Sequence, residues 1–251
     1  MKALAIARLD LHRLAVRPFA WTLAGIALAM MAWQFLLGLS AFMHAQPTVP
    51  GAVGTLGFTD SVVGPYLLNY LQLCLVIVPL VTMQALAGER GAQRLALLGA
   101  TGASGVQIVV GKFLARLVFL WLLLILVASM PLVLSGATQL DWGQLGAALI
   151  ASALCVAALT AIGIACSAFA REPALAAAAA LLIGEGLSLI DAGVRMTGAG
   201  TGWLGYLALH THLAPALRGL MRSGDIVYFL LITALALALA VRRIGAERGY
   251  G

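Results

Sequence analysis

Residues 106–134 read VQIVVGKFLARLVFLWLLLILVASMPLVL. Lys112 and Arg116 are the only charges in this run, and both fall in its first half. A helix rises about 1.5 Å per residue and needs about 20 apolar residues to cross the hydrocarbon core of a bilayer. From Leu117 to Leu134 nothing charged interrupts the run. The stretch therefore reads as a membrane-spanning helix, and the rest of the chain has to be read against a bilayer rather than against water.

Five other stretches have the same character: Phe19–Met43, Val62–Ala87, Leu145–Ala170, Pro173–Ile190 and Ile226–Val241. Only Arg171 and Glu172 separate the third and fourth of these, which predicts a tight helical hairpin, with Pro173 in a first helical turn where its missing N–H costs nothing. The last run is short and is expected to borrow a turn from its flanks. Composition agrees. Of 251 residues 63% are hydrophobic and 10% charged, against about 45–50% and about 25% in soluble domains. Mean hydropathy is +1.04. The fold class is an all-α integral membrane protein with six transmembrane helices. Phe19–Met43 exceeds the 7–15 residues of a signal-peptide core, so it is read as a retained helix.

The net charge of +6 is not a nucleic-acid signature, because the charges sit in short clusters between apolar runs. That pattern is topological. With six crossings and the N-terminus inside, twelve Lys and Arg lie on the inner side and three, Arg195, Arg218 and Arg222, on the outer side. Both termini are thereby expected in the cytoplasm. The three cysteines, Cys74, Cys155 and Cys166, all lie in apolar runs and read as small buried residues rather than as a disulfide framework.

Three segments outside the spans carry information. In residues 1–18, Leu4, Ala7, Leu11 and Leu14 recur at helical spacing, with Asp10, Arg13 and Arg17 on another face. This predicts an amphipathic helix in the inner interface, with its arginines near anionic head groups and Pro18 ending it. Residues 88–105 hold Glu89, Arg90, Gln93 and Arg94 ahead of Leu97 and Leu98, then Thr101 among glycines. A short cytoplasmic helix of mixed charge fits, suited to gripping a partner. Residues 191–224 are first glycine-rich and then moderately apolar, too short for two more spans, and read as a re-entrant or interfacial outer segment.

Chemistry is sparse. Glu185 lies between two glycines in the fifth apolar run. A carboxylate at the centre of a membrane helix costs about 2.5–3.5 kcal/mol on insertion scales, so it is expected to face a cavity or the bundle interior, as a possible pathway residue. His210 and His212 form an HxH pair without a third ligand at metal-like spacing. Glycines near position 100 lack the Walker pattern. No catalytic, cofactor or metal site is predicted. Active transport, if the chain performs it, would draw energy from another subunit or an ion gradient.

Val78 to Leu117, VPLVTMQALAGERGAQRLALLGATGASGVQIVVGKFLARL, resembles the signature region of type-2 ATP-binding-cassette exporter permeases. Pro79, Leu80, Thr82 and Met83 stand where that family closes its second span. Glu89, Arg90, Leu97 and Leu98 stand in its coupling helix, and Gly111, Lys112 and Phe113 at the opening of its third span. His212, Leu213, Arg218, Gly219 and Asp225 to Phe229 look like the loop into its last span. The layout is similar to the gliding-motility and nitrous-oxide-reductase-maturation subgroup. The resemblance implies one permease domain over residues 1–251, two permeases (identical or paralogous) over two cytoplasmic ATPase subunits, and ATP hydrolysis on that partner. It implies ATPase coupling through Glu89, Arg90, Gln93, Arg94, Leu97, Leu98 and Thr101, so that Ala at 89 and 90 weakens association or coupling. The residues by themselves also admit an ion-coupled secondary transporter using Glu185, or a membrane assembly factor that transports nothing.

Overall fold

The computed structural model describes residues 2–45, 57–91, 103–136, 138–197, 206 and 208–249. Among them there is helix and no strand. The elements are α1 (Lys2–Val16), α2 (Pro18–Ala45), α3 (Gly64–Thr82), α4 (Ala87–Gly91), α5 (Gly105–Val133), α6 (Trp142–Phe169), α7 (Pro173–Thr197), α8 (Leu209–Leu217) and α9 (Ser223–Gly249). A π-type turn, Thr59–Val63, leads into α3. Six segments are long and apolar enough to cross a membrane: Pro18–Ala45, Thr59–Glu89, Gly105–Gly136, Trp142–Phe169, Pro173–Ile190 and Ser223–Ala246. These are the six runs expected from hydropathy. The last is longer than its apolar run, because the helix continues through Arg242 and Arg243 once it leaves the hydrocarbon-length stretch.

The bundle is built around α6. Its apolar window is 67% buried, whereas those of α2 and α7 are each 17% buried. Position explains the difference: α6 packs against α3, α5, α7, α8 and α9, and its small residues Ala148, Ala151, Ser152, Ala158, Ala161 and Gly163 let those backbones approach closely. At Gly163 a Cβ would stand 2.9 Å from Thr82 Cβ, so α3 and α6 cross there only because position 163 has no side chain. Aromatic hydroxyls tie α3 to α5: Tyr66 donates to the Val127 carbonyl at 3.1 Å and Tyr70 to that of Leu120 at 3.4 Å. Each satisfies a polar group that the bilayer could not.

Helix starts follow local chemistry. Ser104 and Gln107 form a reciprocal capping box at α5. Asp141 caps α6, accepting from the amides of Gly143 and Gln144 at 2.9 and 3.1 Å. Cys74, Cys155 and Cys166 are buried free thiols. Of the expected segment 191–224, α7 continues to Thr197, and α8 packs between α6, α7 and α9. Residues 198–205 and 207 lie outside the described set. His212 is the centre of that packing. Its Nδ1 lies 2.7 Å from Asp225 Oδ1, its Nε2 lies 2.9 Å from the Tyr206 carbonyl, and its ring stacks on Tyr228 at 4.0 Å. The histidine thus clamps α8 to α9 through two protein partners.

Candidate functional site

The most unusual chemistry lies at the end of the bundle where α1 docks. α1 runs against the first three turns of α5, presenting Ala3, Ile6, Asp10 and Leu14 inward, while Leu4, Leu9 and Val16 stay exposed. The approach is close at Gly111, where a Cβ would stand 2.8 Å from the Ala3 carbonyl oxygen and 2.9 Å from Ile6 Cγ2. One residue later Lys112 enters the same interface. It is 1% exposed.

Lys112 and Arg116 are one helical turn apart, so both face α1. Arg116 pairs with Asp10 through Nη1 and Oδ2. Lys112 Nζ lies 3.6 Å from Asp10 Oδ2 and 2.7 Å from Glu89 Oε2. The latter is a charge contact rather than an aligned hydrogen bond, since Glu89 Oε2 has no hydrogen-bonding partner. Arg13 reaches Glu89 Oε1 at 3.7 Å. Two carboxylates from α1 and α4 are thus threaded between cations of α1 and α5. Arg17, at the α1–α2 junction, donates to Gln84 Oε1. Removing several charges from water together costs several kcal/mol per ion and is tolerable only because each carboxylate has more than one cation.

α4 is held from the other side by α6. Ser167 Oγ accepts from the amides of Leu86 and Ala87 at 3.0 and 3.1 Å and donates to the Met83 carbonyl at 3.0 Å. Three backbone groups left over where α3 breaks into α4 are satisfied by one hydroxyl.

Of the predicted coupling residues, Glu89 lies in this network, 8% exposed. Arg90 is on α4, but its side chain is outside the described set, as are Gln93, Arg94, Leu97, Leu98 and Thr101. Glu185 is about 100 residues further along the chain, on α7, half-buried, with no ion pair or hydrogen bond to the described residues. Sequence reasoning did not assign Asp10, Arg13, Lys112 or Arg116 to a site. Two signals were present. Asp10 is the only acid before Asp60, and Lys112–Arg116 is an i,i+4 basic pair in an otherwise apolar run. Among the described residues no group of three His, Cys, Asp or Glu side chains is placed to hold a metal.

The family model for the ABC-2 family transporter protein matches residues 70–243. The chain belongs to that family. It is accordingly the permease component of an ABC transporter, a multi-pass membrane protein whose family works with an ABC ATPase partner. No curated protein matches the chain. The ABC-2 match runs from Tyr70 in α3 to Arg243 in α9 and takes in Glu89, Lys112 and Arg116. Asp10 and Arg13 precede it, so the network joins the ABC-2 region to the helix in front of it.

Proposed function

We propose that this chain is the permease of an ATP-driven exporter in the bacterial cytoplasmic membrane, with both termini in the cytoplasm. Two permeases, identical or paralogous, would stand over two ATPase subunits and form the substrate path between them. The observation that carries the reading is the ABC-2 match across α3 to α9, with the segment after Glu89 rooted in the ion network of α1 and α5. Residues 88–105 are the coupling segment. Glu89 anchors its root, and Arg90, Gln93, Arg94, Leu97, Leu98 and Thr101 meet the ATPase. A segment rooted in a buried, multiply paired network transmits displacement instead of absorbing it. Nucleotide-dependent motion of the ATPase then biases the permeases between inward-open and outward-open states.

The remaining parts have assignments in the same scheme. α1 lies in the inner interface, residues 191–224 form the outer re-entrant region, and residues 1–251 act as one domain. α7 lines the path. Leu175, Ala178, Leu182, Glu185 and Leu189 follow a three-four spacing on its uncovered face, and a carboxylate on that stripe is costly against lipid.

Cross-linking tests the arrangement. With Cys74, Cys155 and Cys166 buried, Arg94→Cys or Leu97→Cys adds a thiol to the proposed coupling segment. A short maleimide cross-linker is expected to join it to the ATPase subunit in native membranes. Capture of the ATPase from Met43→Cys but not from these positions would overturn the proposal.

A further inference from the structure

Two clefts meet beside the ion network, and together they have the polarity of a phospholipid. The first is polar, about 440 Å3 including its open mouth, and is lined by Asp10, Arg13, Arg17, Gln84, Glu89 and Arg116. The second is mostly apolar, about 370 Å3, and is walled by Leu14, Phe19, Ala20, Leu80 and Val81. They share Leu14, Arg17, Gln84 and Arg116. The polar cleft lies at the α1–α2 junction, where the spans end. The apolar cleft lies between the first turn of α2 and the last turn of α3, within the spans themselves.

The charges of the first cleft do not cancel. Its carboxylates are already engaged, Asp10 by Arg116 and Lys112 and Glu89 by Lys112 and Arg13. Counting Lys112, four cations face two carboxylates, which leaves an excess of two positive charges. Among the described residues Arg17 is matched by the uncharged Gln84 oxygen and by no carboxylate. Arg116 is buried, and its Nε has no acceptor among the described residues. A buried guanidinium donor left unmet is costly, and an oxyanion removes that cost while balancing the charge. Guanidinium groups suit phosphate because they present paired donors to its oxygens.

We infer that this is a binding site for an anionic phospholipid. Arg13, Arg17 and Arg116 hold its phosphate, and one acyl chain lies against Leu14, Phe19, Leu80 and Val81. The lipid joins α1, α2 and α3 beside the Arg17–Gln84 hydrogen bond. It therefore supports the root of α4, whatever the ATPase does and whichever compartment this end faces. Neutral lipid offers the tail without the net charge, and free phosphate offers the charge without the tail.

The test uses the full chain, delipidated in detergent, with phosphatidylglycerol, phosphatidylcholine, glycerophosphoglycerol and inorganic phosphate as probes, read by native mass spectrometry. One phosphatidylglycerol is expected to stay bound. Arg17→Gln should weaken it roughly fivefold or more, and Arg17→Lys, which keeps the charge but not the paired donors, should weaken it less. Exposed Arg171→Gln, at the same end of the bundle, should leave it unchanged. Leu80→Trp, which fills the apolar cleft and spares every arginine, should also weaken it, so the outcome does not depend on Arg17→Gln folding. Equal retention of phosphatidylcholine, or an adduct indifferent to both Arg17→Gln and Leu80→Trp, would overturn the proposal. Displacement by millimolar phosphate or glycerophosphoglycerol as readily as by phosphatidylglycerol would also overturn it, by showing a site for a free anion. ATPase association is not read in any of these arms, so their failure leaves the exporter reading standing, and the converse holds.

Discussion

Glu89, at the end of the second span, and Glu185, within the fifth, are both carboxylates, and their surroundings are opposite. Glu89 closes the second span, 8% exposed, against Lys112 at 2.7 Å and Arg13 at 3.7 Å. Glu185 lies within the fifth span, half-buried, on a stripe with Leu175, Leu182 and Leu189, which are 60, 71 and 67% exposed. It has no polar partner among the described residues. The chain meets the cost of the first charge internally, with cations from two other helices. For the second, no described residue supplies a partner. Two roles follow from the contrast. One carboxylate holds the architecture, and the other is left available.

The strongest way to break the contrast is Lys112→Met. It removes the cation that Asp10 and Glu89 share and leaves the buried Glu89 only the more distant, exposed Arg13. Breaking a buried pair typically costs about 3–5 kcal/mol. Thermal unfolding in detergent should fall sharply, with α1 becoming protease-sensitive first. An unchanged melting curve would mean the network carries little of the fold.

Gly111→Ala probes the same interface through shape alone. Its methyl would meet the backbone of Ala3 and the side chain of Ile6, and such overpacking costs about 1–3 kcal/mol. Hydrogen exchange should rise across α1 and stay as in the wild type across α9. Ser167→Ala leaves the Leu86 and Ala87 amides without their acceptor, at about 1–2 kcal/mol. The faster exchange should then be confined to residues 83–91.

Glu185→Gln should have the smallest effect on stability, within about 0.5 kcal/mol or slightly stabilising, because no partner is lost. Export should nonetheless fall. Glu89→Gln is expected to do the reverse in rank, costing stability first. If the two substitutions destabilise equally, the division of roles is wrong.

Much of this was legible in the sequence. The six spans follow from hydropathy alone, since length and apolarity are local properties. The ends were less so. α7 runs seven residues past Ile190, and α9 continues to Gly249, because a helix persists after its composition turns polar. The site was partly legible. Glu89 was singled out for its place in a family pattern, but its burial was not, because Arg13 and Lys112 come from distant parts of the chain. Asp10 and Arg116 are separated by 106 positions, and no periodicity reports a pairing at that range. The amphipathic reading of α1 grouped Asp10 with Arg13 and Arg17. The structure turns Asp10 inward, because Gly111 lets the backbones close enough for Lys112 and Arg116 to meet it. His212 was noticed for its HxH spacing, whereas its partners, Asp225 and the Tyr206 carbonyl, lie on either side of that motif.

We propose that a separate ATPase drives this permease through residues 88–105. Because Glu89 also holds the fold together, substituting it would confound coupling with stability. Arg90→Ala with Arg94→Ala leaves every described ion pair of the network intact and addresses contact alone. The decisive measurement is ATP hydrolysis by the cognate ATPase subunit, with and without permease, in proteoliposomes. Wild-type permease is expected to change the hydrolysis rate, and the double variant, with unaltered thermal unfolding, is expected to leave it unchanged. Equal modulation of hydrolysis by both permeases would contradict it.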